Sequence, residues 1–315
     1  MKTKGPLFTY VHYRAPHLPI IPPPPFLDMF KKHVASSAKD ATPSTKESRN
    51  SKNVRFFNQS AQGVNGKKDS KGKQNRVIFD LVKLMRKRHQ FTPEEIQDVI
   101  DDYDSTIRYV DSEVGKLFET LKKMGVYDSS FIIFTSDHGE ALYEHGTWGH
   151  GQNVYEETSR VPLIMKFPAK MKLKGRIERI TQLADIFPTF AALFGEERYF
   201  DGQSLIESIK IKNKDDRFAF SITFGNPPSI GIRWRAWYYI IHLFNNQEQL
   251  YHLKIDPLKD VAALKENEDM ITFFRAKFLN WFIHFDNLER TAQAVDLKKL
   301  PKEEYENLKS LGYID

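Results

Sequence analysis

The chain has 315 residues, enough for one large domain or one domain with a small companion. Hydrophobic residues make up 40% and aromatics 13%, so a sizeable core can be buried; there is no cysteine, which excludes disulfides, thiolate metal sites and cysteine nucleophiles. The net charge of +6 is local: residues 31–90 hold sixteen Lys/Arg against four Asp/Glu, which leaves the remainder acidic and argues against nucleic acid as a partner.

Residues 6–13 read as a buried strand, stopped by Pro16, Pro19 and the run Pro22 to Pro25, which cannot donate to a ladder. Residues 31–76 are polar and rich in Ser, Lys, Asn and Gly, the composition of a basic flexible insertion, with a polyanion-contacting lid as the other reading. Thr92-Pro93-Glu94-Glu95 is a helix start with Thr92 as N-cap, Pro93 in the first turn and Glu95 closing a capping box. Apolar residues from Ile96 to Met124 then recur at three- and four-residue steps, predicting an amphipathic helix, broken once at most, that ends at Gly125.

Residues 131–135 follow as a strand buried on both faces, residues 161–167 as the next strand, and residues 188–194 as a short helix closed by Gly195. This order argues an α/β sheet with helices packed on it. Beyond residue 205 the pattern changes to four short strands at 218–224, 230–234, 237–243 and 249–253, a small antiparallel sheet, with helical sequence from about residue 269. The expected division is 1–205 for the α/β part and 206–315 for the antiparallel subdomain and helical tail. The apolar runs are too short to cross a bilayer and no signal-peptide stretch follows Met1, so no transmembrane or targeting segment is expected in the chain itself.

Chemistry concentrates in three places. Ser136-Asp137-His138-Gly139-Glu140 directly follows a strand, where ligands of open α/β sheets gather. A carboxylate beside an imidazole suits a divalent cation, the oxygen favouring Ca, Mg or Mn and the nitrogen Mn or Zn; a helix N-cap Asp beside an exposed His gives the same spacing. The second place is Glu144-His145-Gly146-Thr147-Trp148-Gly149-His150-Gly151, whose three glycines suggest a loop that closely approaches something, with His150 either a proton donor to an oxyanion or leaving group or an exposed loop histidine. The third is His17, in a Pro-His-Leu-Pro loop at another expected strand end.

These stretches resemble the metal-site region of the sulfatase family, within the alkaline phosphatase superfamily. The resemblance runs through residues 7–13 with Pro16-His17, Tyr103 to Asp111, residues 131–140, the glycine-histidine loop with Tyr155-Glu156-Glu157 and Arg160 to Ile164. It continues through Asp185 to Thr189, Asp201 to Leu205, Leu250 to Leu253 with Asp256-Pro257, and Leu308 to Tyr313. It implies an alkaline-phosphatase-like central sheet flanked by helices, present here only in part, with a C-terminal four-stranded antiparallel subdomain. It implies hydrolysis of a sulfate ester on a small molecule or glycan, with Asp137 and His138 as ligands of a divalent metal, usually calcium with Mg, Mn or Zn as alternatives. His17 and His150 are then the catalytic, substrate-contacting histidines. Relatives of this family are often exported or lysosomal.

The family's nucleophile, a formylglycine made within Cys/Ser-x-Pro-Ser-Arg, has no counterpart: there is no cysteine and no Pro-Ser-Arg, and Ala41-Thr42-Pro43-Ser44-Thr45 lacks both key residues. Asp101-Asp102 is a poor substitute for the family's first metal pair, because neighbouring side chains on a helix diverge by about 100°. The expectation is a chain inactive alone and completed by another segment or chain. Phosphodiesterase, phosphonate hydrolase or phosphoethanolamine transferase chemistry, and a non-catalytic polyanion-binding remnant, are the alternatives.

Overall fold

A computed structural model describes residues 7–17, 20–31, 90–196, 201–210, 217–291 and 302. The basic stretch 32–76, the Ala41 to Thr45 segment and the C-terminal residues 303–315 lie outside them. The chain forms two compact units, one of residues 1–150 and 157–174, the other of residues 151–156 and 175–315.

The first unit is organised by helix α1, Pro93–Lys123. Its start is the predicted capping box: the Glu95 amide donates to Thr92 Oγ1 at 3.2 Å and the Thr92 amide to Glu95 Oε2 at 3.1 Å. The helix is unbroken, buries Val99, Asp102, Ser105, Thr106 and Val110, and is followed by Gly125 at φ 70°. Two strands, β1 (Ile132–Thr135) and β4 (Leu163–Lys166), pair antiparallel with Ile132 opposite Lys166 and Thr135 opposite Leu163. Between them lie the short hairpin β2 (Ala141–Leu142) and β3 (Trp148–Gly149) and the helical turn α2 (Glu156–Ser159).

Two sequence expectations fail in this unit. Residues 7–13 form no strand, and Leu7, Phe8 and Tyr10 are 72%, 80% and 71% exposed. A strand needs a hydrogen-bonding neighbour, and among the described residues none pairs with this segment. For the same reason β1 is only half-buried rather than covered on both faces, and Ile164 of its partner strand is largely exposed.

In the second unit α3 (Ile186–Ala192) and α4 (Leu205–Lys210) precede a four-stranded antiparallel sheet of β5 (Phe218–Thr223), β6 (Ser229–Trp234), β7 (Trp237–His242) and β8 (Glu248–His252) in sequential order, each within a residue or so of expectation. The sheet buries both faces. Ile230, Ile232, Tyr239, Ile241 and Leu250 pack with Ile271 and Phe274 of helix α5 (Glu268–Thr291), while Tyr238, Ile240 and Tyr251 pack with Val154 on the other side. Alternation along β7 thus feeds two cores.

The landmarks at Asp185 and Gly202 acquire a physical meaning in this unit. Asp185 is fully buried and accepts two hydrogen bonds from the Arg217 guanidinium at 2.6 Å each, with two more from the Gln182 and Gln203 amides at 2.9 and 2.8 Å. Thr189 donates to the Asp185 carbonyl and accepts from the Leu205 amide. A methyl group at Gly202 would sit 1.9 Å from the Ala184 carbonyl oxygen, so only glycine permits this docking.

Candidate active site

The site forms at the carboxyl end of β1, within the first unit. The chain leaves the strand at Thr135, whose hydroxyl donates to the Pro162 carbonyl at 2.8 Å, and presents Asp137 and His138 side by side. The Asp137 Oδ1 lies 3.7 Å from His138 Nε2 and accepts the His138 amide at 3.0 Å. Gly139 is needed for close approach rather than for a sharp turn: its backbone has no positive φ, but a Cβ there would lie 2.1 Å from the Glu157 carbonyl oxygen. Its amide donates to the Thr158 carbonyl at 2.8 Å, which clamps the strand-end loop onto α2.

The hairpin β2–β3 delivers His150. Ala141 faces Gly149 and Leu142 faces Trp148, so the next pair outward, Glu140 and His150, falls side by side. Here the glycines serve the backbone: Gly146, Gly149 and Gly151 take φ of 70°, 82° and 80°, and a side chain at Gly146 or Gly151 would meet open space. The expected close approach by this loop is therefore a set of left-handed turns instead. Phe91, Tyr143 and Trp148 stack edge to face or tilted, with ring centres 5.2–5.3 Å apart, and brace the outer end of the hairpin.

The structure sorts the histidines of this loop. His145 is tied to Glu157 at 2.8 Å, both side chains only 11% exposed, and so fastens the hairpin to α2. His150 instead joins His17 and His138. Its ring stacks on that of His138 with centres 3.8 Å apart, and the His17 ring meets His150 edge-on at 5.0 Å and His138 at 6.1 Å. One ring nitrogen from each of the three lies within 4.8 Å of the others. The three histidines singled out in the sequence therefore converge, with Asp137 beside His138 and His17 on an exposed turn closed by its own amide donating to the Arg14 carbonyl at 3.0 Å.

Sequence reasoning gave Glu140 no role, yet its buried carboxylate accepts from His150 Nδ1 at 3.2 Å. That hydrogen bond holds the His150 imidazole above its ordinary pKa of 6.5. The signal that finds it is the hairpin register, since a residue paired across β2–β3 is predictable once the two strands are recognised. Asp101 and Asp102 do diverge as helix geometry requires: Asp102 pairs with Lys31 at 2.8 Å, whereas Asp101 accepts from Gln97 on its own helix.

The donor set discriminates between metals. Calcium takes six or more oxygen ligands, and the carboxylates against these imidazoles among the described residues are Asp137, beside His138, and Glu140, which is engaged with His150 Nδ1. These residues alone do not fit calcium.

A family model for sulfatases matches residues 1–196. The chain is 33% identical over 175 residues to an N-acetylglucosamine-6-O-sulfatase of Bacteroides thetaiotaomicron, a match covering 51% of this chain and 31% of the relative. It is 31% identical over 218 residues to a choline-sulfatase of Rhizobium meliloti, covering 64% of this chain and 42% of that one. Among solved structures it is similar to a phosphonate monoester hydrolase of Agrobacterium radiobacter, at 27% identity and a TM-score of 0.55, covering 62% of this chain and 43% of that one. The chain spans less than half the length of each of these proteins.

Proposed function

The chain belongs to the sulfatase family, with an alkaline-phosphatase-like fold, and from that premise we propose that it supplies the cation-binding and oxyanion-binding part of a hydrolase acting on sulfate esters. The observation that carries the reading is the convergence of His17, His138 and His150 beside Asp137 at the end of β1. Asp137 and His138 are the cation ligands this chain contributes, and the remaining ligands lie on another segment. His17 and His150 face the sulfate oxygens. His150, protonated to higher pH by its hydrogen bond to Glu140, donates to the ester oxygen as the bond to sulfur breaks. The names of the two sulfatase relatives support a sulfated sugar or small molecule as the substrate class.

The chain holds no Cys/Ser-x-Pro-Ser-Arg motif, so the attacking group comes from elsewhere and the 315-residue polypeptide alone is inactive. The test joins the chain behind the motif-bearing segment of the Bacteroides relative, produced with formylglycine maturation, and assays para-nitrophenyl sulfate. The joined protein is expected to turn over the ester and the chain alone is not. His17→Ala and His150→Ala each lower kcat by about a hundredfold to a thousandfold, the scale of one lost oxyanion donor. A folded joined protein without turnover, or turnover indifferent to both substitutions, would refute the assignment. Likeness to the phosphonate monoester hydrolase favours a second reading, and preference for a phosphonate monoester over the sulfate in the same assay would establish it.

A further inference from the structure

His150 is delivered by a hairpin of only two residue pairs, Ala141 with Gly149 and Leu142 with Trp148. A two-stranded ribbon so short does not hold its own shape in water, so what it packs on decides where His150 points. Two consecutive residues of α2 hold it. At the root, the Thr158 carbonyl accepts the Gly139 amide at 2.8 Å. In the turn, His145 Nδ1 lies 2.8 Å from the Glu157 carboxylate, which can only accept, so Nδ1 carries the proton. Both side chains are 11% exposed, so the contact is shielded from water. The turn that presents His145 is closed by its own bonds, the Tyr143 amide donating to the Thr147 carbonyl and the Gly146 amide to the Tyr143 carbonyl at 3.0 Å each. Both ends of the ribbon are thus fixed to the same short helical turn, which also seats the strand-end loop carrying His138. Glu157 and Thr158 together set how His138 and His150 face one another, with ring centres 3.8 Å apart.

We propose that Glu157, acting through His145, is a positioning residue for His150: the pair sets the angle at which the hairpin presents the His150 imidazole to the ester oxygen, and neither residue touches the substrate. The proposal rests on the assignment of His150 as the donor to that oxygen. Glu140 and Glu157 have separate tasks. Glu140 holds the His150 ring itself, whereas the Glu157–His145 pair holds the strand that carries it. When the pair is broken, the ester still binds through its other contacts but meets its proton donor out of line. A misplacement of about 1 Å costs on the order of a hundredfold in rate, and the loss falls on kcat rather than KM. The chemistry of position 157 follows. Glu157→Gln keeps an acceptor oxygen at the same reach. Glu157→Asp keeps the charge but withdraws it by one methylene, about 1.5 Å, which is beyond hydrogen-bond reach of His145.

The test uses the joined protein and, beside it, the 315-residue chain. In the joined protein, Glu157→Ala and His145→Ala are each expected to lower kcat for para-nitrophenyl sulfate by about tenfold to a hundredfold, with KM within about twofold. The double substitution goes no further than either alone, because the two residues share one contact. Glu157→Gln keeps most of kcat. In a His150→Ala background Glu157→Ala adds nothing, an outcome that a general loss of structure does not reproduce. In the chain alone, proton NOEs between the His138 and His150 rings are expected to weaken in Glu157→Ala and persist in Glu157→Gln. Circular dichroism shows which variants remain folded, and Glu157→Asp gives the same comparison at smaller structural cost if alanine unfolds the chain. Unaltered kcat, an effect of equal size with and without His150, or ring contacts indifferent to Glu157 overturns the proposal. A folded joined protein inactive in every form, with ring contacts responding to Glu157 as expected, would instead count against the proposed function alone.

Discussion

Substituting alanine for Asp185 is expected to cost the second unit about 3–5 kcal/mol, the scale of breaking a buried ion pair from one side. Asp185 has no exposed surface and receives four N–H donors, two of them from the fork of Arg217, whose side chain is 8% exposed. Removing the carboxylate leaves a guanidinium buried without its counter-charge and two backbone amides without acceptors. Domains are typically stable by about 5–15 kcal/mol, so the loss consumes a large share of the total. Urea unfolding followed through the tryptophans of this unit, Trp234, Trp237 and Trp281, measures it. Arg217→Ala should cost a comparable amount and the double substitution less than the sum, because the two residues share one interaction. A midpoint unchanged by Asp185→Ala would mean that the pair does not hold this unit together.

The second large effect falls on the site itself. Gly139→Ala forces a methyl group to within 2.1 Å of the Glu157 carbonyl oxygen, which is backbone and cannot swing aside. The strand-end loop must lift away from α2, giving up the Gly139 amide bond to the Thr158 carbonyl. Overpacking of this kind costs about 1–3 kcal/mol. The functional loss is larger, because the Gly139 carbonyl also orients His138. Turnover of para-nitrophenyl sulfate by the joined protein should fall by about tenfold to a hundredfold, as for other losses of an outer partner, while the chain stays folded by circular dichroism. Assay of the joined variant checks this, and unaltered turnover would show that the loop position is not what aims His138.

Much of this architecture could be read from the residues. The capping box at Thr92, the helix to Gly125 and the four strands of the second unit depend on local chemistry and alternation, and the structure reproduces them closely. Selecting His17, Asp137, His138 and His150 as one expected site came from the resemblance to a known family, since spacing alone left each residue with an ordinary alternative; the structure brings the three histidines together. What escaped depends on neighbours in space. Residues 7–13 have the apolar pattern of a strand but no partner among the described residues, so pattern did not become structure. The glycines exchanged reasons: Gly139 answers to a backbone 2.1 Å away, and Gly146 and Gly149 to positive φ, a difference no single sequence discloses. Glu140 and the sorting of His145 from His150 required the register of a two-residue hairpin.

The central claim is that His17, His138 and His150, drawn from a turn, a strand end and a hairpin, come together at one site beside Asp137. Long-range proton–nitrogen correlation of the histidine side chains, recorded as inorganic sulfate is added, tests it most directly. The side-chain resonances of His17, His138 and His150 should move together along one saturation curve, with His12 unmoved. Separate titration of the three rings, or a first response at His12 or His145, would contradict it.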